Sequence, residues 1–247
     1  MNESEVRMDA GGLGADKELV RAHRSEEVLR ATGKWLAEKA FPERFIWVRS
    51  RNSIEHHVGG RRESIVLRSS YRNRPGKDIR IWVEALEVRD EALRMWRRRH
   101  PDLTLERPRN VDDLVCVNSY LDLAKQLEEY ELNLTSGDER PARLAVLAGH
   151  LQRIALSWFR ATAESASLAN QAWNDMIFDS APELMEYAYS KGHVEQAQAI
   201  LERILELRIT REQLNKGRIL ARHGTKPPWK SPYAVGWTAE KLELFGR

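Results

Sequence analysis

Few residues in this 247-residue chain have types and spacings that could do chemistry. Glu55-His56-His57 is the one place where histidines cluster. Successive residues of a strand point to opposite faces, so these two imidazoles are poorly placed to share one metal ion. The chain has no CxxC, no HExxH and no histidine four residues from another, so no metal site is expected. Cys116 stands in the apolar run Leu114-Val115-Cys116-Val117, which predicts a buried, inert thiol. Gly-x-Ser-x-Gly is absent. Gly11-Gly12-Leu13-Gly14 has no strand before it and no Gly-Lys-Ser/Thr after it, so it fails as a phosphate loop. Asp78, Glu84 and Glu87 offer carboxylates on or beside one strand. Glu87-Val88-Arg89 is similar to the acidic-x-lysine arrangement of two-carboxylate metal nucleases, but arginine does not give up a proton as a general base must. An ideal strand also sets Glu84 and Glu87 on opposite faces, which predicts charges on a solvated sheet face. No cofactor is expected.

Binding chemistry is better represented. Residues 44–109 hold 17 lysines and arginines against nine acidic residues, while the segments on either side are mildly acidic. Such a concentration suits a nucleic-acid or acidic-partner surface. Arginine outnumbers lysine 30 to 10, as a GC-rich coding sequence would give, so arginine abundance alone carries little functional information. The basic residues Arg49, Arg51, Arg61, Arg62, Arg68, Arg72, Arg74, Lys77 and Arg80 fall in one strand-rich segment, and Arg97-Arg98-Arg99-His100 follows it. Guanidinium groups neutralise phosphates, and an exposed Trp47 or Trp82 would stack on unpaired bases. Two bland readings compete. Cations at a helix C-terminus stabilise its dipole without any ligand, and strand tryptophans usually pack into sheets.

The elements that must position these residues read as α+β. Residues 1–16 are expected to be a flexible tail and not a secretory signal, because no apolar core follows. Asp16 to about Ala40 has helical periodicity, with Gly33 interrupting or dividing it and Pro42 stopping it. Phe45 to Ser50, Ile54 to Val58, Ser64 to Tyr71 and Lys77 to Val88 read as strands. Gly59-Gly60 and Arg72-Asn73-Arg74-Pro75-Gly76 supply the turns, which makes an antiparallel meander the economical arrangement. Asp90 caps a helix that ends before Pro101, and residues 101–112 form a loop. Leu114 to Tyr120 and Tyr130 to Leu134 add strands around a helical stretch, Leu123 to Glu129. From Glu139 the chain is helical. Leu144, Leu147, Leu151, Ile154 and Trp158 form one stripe. Ser180 with Glu183, and Thr210 with Gln213, read as capping boxes. Gly192 separates two helices spanning Pro182 to Leu207, similar to a tetratricopeptide-type hairpin but without a second copy. The expected division is 1–16 tail, 17–135 α+β domain, 136–224 helical region and 225–247 tail. That tail carries Trp229, Tyr233 and Trp237 and either packs back through its aromatics or binds a partner.

The fold expected is therefore an antiparallel sheet of four to six strands followed by a helical C-terminal region. Phe45-Ile46-Trp47-Val48, Ile79-Arg80-Ile81-Trp82-Val83 and Trp158-Phe159, in that order after an N-terminal helix, resemble bacterial α+β families described as domains of unknown function. Some of these are candidate immunity proteins beside polymorphic toxins. The resemblance covers about residues 30–207 and carries over no functional residues. It implies a non-catalytic, cytoplasmic, protein-binding role of immunity or accessory type, for which exposed tryptophan and arginine are suited. A reducing compartment also fits the single cysteine, and no apolar run approaches the roughly 20 residues of a membrane span. The alternative is nucleic-acid binding by Arg49, Arg51, Arg68, Arg72, Arg74, Arg80, Trp82, Arg97 and Arg98. A second alternative is a hydrolase or nuclease whose residues converge only in three dimensions.

Overall fold

The computed structural model describes residues 10–41, 44–119, 131–207 and 209–245. Its helical N-terminal region is two helices, α1 (Ala10–Arg21) and α2 (Ser25–Lys39). Residues 10–16, expected in the tail, thus open α1. The break falls at Ala22–Arg24 rather than at Gly33. There the Glu27 carboxylate accepts from the backbone N–H groups of His23 and Arg24, satisfying donors that a helix start would otherwise leave unpaired. Gly33 sits inside α2 for a packing reason: a methyl group there would overlap the Trp47 indole. Residues 1–9, Pro42 and the expected helix at 123–129 lie outside the described residues.

Six strands form one antiparallel sheet: β1 (Ile46–Val48), β2 (Ser53–Val58), β3 (Arg61–Ser69), β4 (Arg80–Asp90), β5 (Leu114–Ser119) and β6 (Glu131–Asn133). The order is β1-β2-β3-β4-β5, with β6 also on β4. The meander is as expected, and the turn chemistry explains it. Gly59 and Gly60 take positive φ (55° and 85°), the left-handed pair a two-residue hairpin requires. The next connection is closed by Asn73, whose side chain accepts from the Arg80 N–H at 2.9 Å and donates to the Arg80 carbonyl at 3.0 Å. Ile79, Ile81, Val83 and Ala85 are buried, as their alternation predicts. The alternation then skips one residue, because Leu86 and Val88 are buried next. Glu84 and Glu87 are both half-buried, on either side of this change.

The chain divides into two compact units. The first comprises Met1–His56, Ser64–Ala85 and Leu123–Ile154. Leu19, Leu36, Leu144 and Leu151 are fully buried in it. So is Arg140, at the start of α4 (Arg140–Ala161), whose guanidinium donates to the carbonyls of Leu19, Ala22 and Leu134 at 2.6–2.8 Å. Leu19 and Ala22 are the unsatisfied carbonyl end of α1, so the arginine acts as an internal C-cap.

The second unit comprises His57–Glu63, Leu86–Asp122 and Ala155–Arg247. Asp90 caps α3 (Glu91–Arg99) as expected, accepting from Ala92 and Leu93 N–H at 2.6 and 3.2 Å. The helical part continues through α5 (Leu168–Gln171), α6 (Asn174–Ser190), α7 (Val194–Leu207), α8 (Arg211–Arg222) and α9 (Ala234–Lys241). Thr210 and Gln213 form the expected capping box. The box expected at Ser180 and Glu183 does not form. Ser180 is a non-helical kink within α6 (φ −133°, ψ 20°), and its hydroxyl accepts the Val117 N–H of β5 at 3.2 Å. Gly192 (φ 81°) then turns α6 into α7. The aromatic tail packs back: Trp237 is buried and donates to the Thr225 carbonyl at 2.9 Å. Backbone meets backbone here, since a methyl at Gly217 would strike the Tyr233 carbonyl and one at Gly236 the Leu214 carbonyl.

Gly33→Ala is expected to cost about 1–3 kcal/mol in urea unfolding through overpacking. The double variant Gly33→Ala/Trp47→Leu should lose less stability than the sum of the two single changes, because the larger indole is the obstacle.

Candidate functional site

The basic segment is less free than its composition suggests. Arg51 is bound twice by the buried Glu55, at 2.6 and 2.7 Å. Arg68 pairs with Glu84, and Arg80 with Asp78 (2.9 Å) and Glu131 (3.2 Å). Trp82 is half-buried on β4 and registers opposite Glu131. Arg61 is buried and donates to the carbonyls of Phe159 and Thr162 at the end of α4, and Arg62 lies 3.8 Å from Asp113. Trp47 is half-buried against α2, so it is a packing residue first.

What stays open is smaller. Arg49, Arg72 and Arg74 are exposed and have no carboxylate partner among the described residues. Arg72 lies over the Tyr71 ring, 5.2 Å from its centroid, and donates to the Tyr71 hydroxyl at 2.8 Å. Tyr71 itself is 87% exposed at the β3–β4 connection. Arg98 is exposed, 3.7 Å from Asp112.

Arg97 does not belong to any surface. Its side chain is buried and pairs with Glu186 at 2.7 Å while donating to the carbonyls of Asp112 (2.7 Å) and Leu114 (3.0 Å). Position on α3 decides this: Arg97 shares the inward face with Leu93, four residues earlier, whereas Arg98 and Arg99 face outward. Arg107 joins the same network, 3.0 Å from Glu186 and 3.5 Å from Glu183. Two guanidinium groups and two carboxylates are thus buried together in the second unit.

That network backs onto a cleft. Its volume is about 630 Å³, and its walls include Phe178, Pro182, Ile204, Trp229 and Pro232. Glu183 lines it as well, nine-tenths buried. Its Oε1 accepts no hydrogen bond, because the 3.5 Å approach of Arg107 Nε misses hydrogen-bond geometry. Burial pushes the Glu183 carboxyl above the usual carboxylate range, and the charge of Arg107 works against that shift. Local sequence explains the site. α6 kinks at Ser180, two residues before Pro182, which has no amide to donate; Phe178 is exposed just before the kink and Glu183 is buried just after it. The proline-rich run before α9 brings Trp229 and Pro232 to the opposite wall.

Sequence reasoning missed this place. It assigned Glu183 to a cap and did not single out Arg107. Two acids three residues apart, Glu183 and Glu186, on a helix otherwise rich in Leu184, Met185, Tyr187 and Ala188 were the available signal.

The residues weighed for catalysis are arranged otherwise. Cys116 is buried, and burial pushes its thiol far above its ordinary range. His56 stacks on Phe45 at 5.0 Å. Among the described residues no three His, Cys, Asp or Glu side chains gather as metal ligands. Glu87 pairs with Arg89 at 2.9 Å. Ser165 Oγ lies 2.9 Å from His193 Nδ1, a nucleophile–base contact. Among the described residues no carboxylate is hydrogen-bonded to that ring, and the pair does not line the cleft.

Arg97→Met is expected to cost about 3–5 kcal/mol, since it strands buried carboxylates. Arg98→Met should cost less than about 1 kcal/mol, as exposed pairs do, and urea unfolding of both variants reads the contrast. Comparison of the chain with family models, with curated proteins and with solved structures finds no match.

Proposed function

We propose that this chain acts by binding another protein, with the α6 cleft of the second unit as the seat of contact. The supporting observation is the cleft itself: about 630 Å³ between Phe178, which is 45% exposed, and a half-buried Trp229. Concave sites of a few hundred Å³ lined mainly by apolar and aromatic groups are where binding energy concentrates. Phe178 is held on α6, and Trp229 stands in the turn before α9 between Pro228 and Pro232; aromatic side chains lose little freedom on contact, which favours hot-spot behaviour. The resemblance to families with immunity or accessory members implies the same kind of role. Among the described residues no helix is long and apolar enough to cross a membrane.

The test is capture from the lysate of the chain's own host, followed by quantitative binding. Phe178→Asp and Trp229→Ala, both at the cleft wall, should weaken the captured partner by about tenfold or more while leaving the circular dichroism spectrum unchanged. Undiminished binding by both variants rejects the cleft as the contact. Turnover of a small molecule by the wild type, with no partner captured, rejects the role.

One observation favours a second reading, nucleic-acid contact at the β3–β4 connection. Tyr71 is almost wholly exposed there beside Arg72, Arg74 and Lys77, and none of these cations has a carboxylate partner among the described residues. Three phosphate contacts would give single-stranded DNA affinity a log–log salt slope of about −2. Tyr71→Ala should then cost about 1–3 kcal/mol of binding. Affinity that ignores salt, or survives loss of Tyr71, removes this reading.

A further inference from the structure

We infer that the cleft takes a basic side chain, a lysine or arginine of the partner protein, with its nitrogen against Glu183 Oε1. This rests on the protein-binding reading above and specifies what the bound segment must carry.

The first reason is the unmet acceptor. Glu183 is 4% exposed and lines the cleft, and its Oε1 receives no hydrogen bond. A desolvated acceptor without a donor is costly, and a ligand that brings a donor recovers that cost on binding. An aliphatic group would fill the space and leave the oxygen unmet.

The second reason is charge. The Arg97 and Arg107 side chains are only 2% and 1% exposed; Arg97 is turned to Glu186, and Arg107 to Glu186 and, at 3.5 Å, to Glu183. Of these four residues Glu183 is the one that lines the cleft, so it is the one an incoming group meets. Among the described lining residues Lys230 is the one cation. Its ammonium lies 4.7 Å from the centroid of the Trp229 ring, and among the described residues it forms no ion pair with Glu183. Charge-assisted hydrogen bonds to a carboxylate are roughly twice as strong as neutral ones, so a cationic donor is favoured over an amide.

The third reason is shape. Pro182, Ile204 and Val235 give the cleft an apolar sleeve, which suits the methylene stem of a long basic side chain. Trp229 supplies an aromatic face, and Lys230 already demonstrates that this face accepts an ammonium.

The test uses the full chain with ¹⁵N-labelled tryptophan, following the Trp229 indole N–H signal, assigned by its loss in Trp229→Phe. Five capped peptides with identical leucine-rich flanks differ only at a central lysine, arginine, citrulline, norleucine or glutamate. The lysine and arginine peptides are expected to bind about tenfold or more tightly than the norleucine peptide, and arginine more tightly than its neutral isostere citrulline. Glu183→Gln should abolish the preference for the basic peptides over norleucine. Norleucine or citrulline binding as well as the basic peptides, or a preference that survives Glu183→Gln, overturns the basic anchor and leaves the cleft as a contact site. If none of the five moves the Trp229 signal, both the anchor and the cleft reading fall. Should Glu183→Gln not fold, the arginine–citrulline comparison on the wild type decides alone.

Discussion

Guanidinium groups turned inward hold this structure together. Arg140 gathers the open carbonyls at the end of α1, and Arg61 does the same at the end of α4. Arg203 bridges the carbonyls of Ala169 and Ala172 to the Asn174 side chain, joining α5 to α6. Arg97 takes two carbonyls at the start of β5 together with a buried carboxylate. Helix ends leave four carbonyls each without partners, and a planar fork of five N–H donors can satisfy several at once. Lysine could not do this with one nitrogen in fixed geometry. Because arginine does not shed its proton, each buried copy commits its surroundings to supplying acceptors.

That commitment explains how far the fold was legible in the sequence. The meander was readable because its determinants are local: two glycines with positive φ, the Asn73–Arg80 closure and the Ile79–Ala85 alternation all act within a few residues. The Asp90 and Thr210 caps were readable for the same reason. Ser180 was misread because its hydroxyl is claimed by Val117, 63 positions away, and not by its own helix. Gly33 looked like a breaker and is a contact, since nothing near it in the sequence announces the Trp47 ring.

The site was less legible than the fold. A run of arginines at positions 49–80 suggested a charged face, yet five of the eight pair with acids, some near in sequence and some brought up by strand pairing. Glu131 reaches Arg80 only through the β4–β6 register, and Glu84 reaches Arg68 only across neighbouring strands. Conversely, the Glu183–Arg107–Glu186–Arg97 network joins segments about 80 residues apart, with no local signature at either end. Composition reports how many charges there are, and pairing decides which of them a ligand can find.

The cleft wall opposite α6 rests on the crossing of α8 and α9, where Gly217 and Gly236 bring one backbone against another. Its spacing is therefore set by main-chain atoms, which cannot rotate away as side chains do. Even the smallest enlargement at either glycine would lever Tyr233, Ala234 and Val235 outward and change the aperture. Substitutions lining the interior can alter what the cleft prefers, while these two positions govern how wide it is.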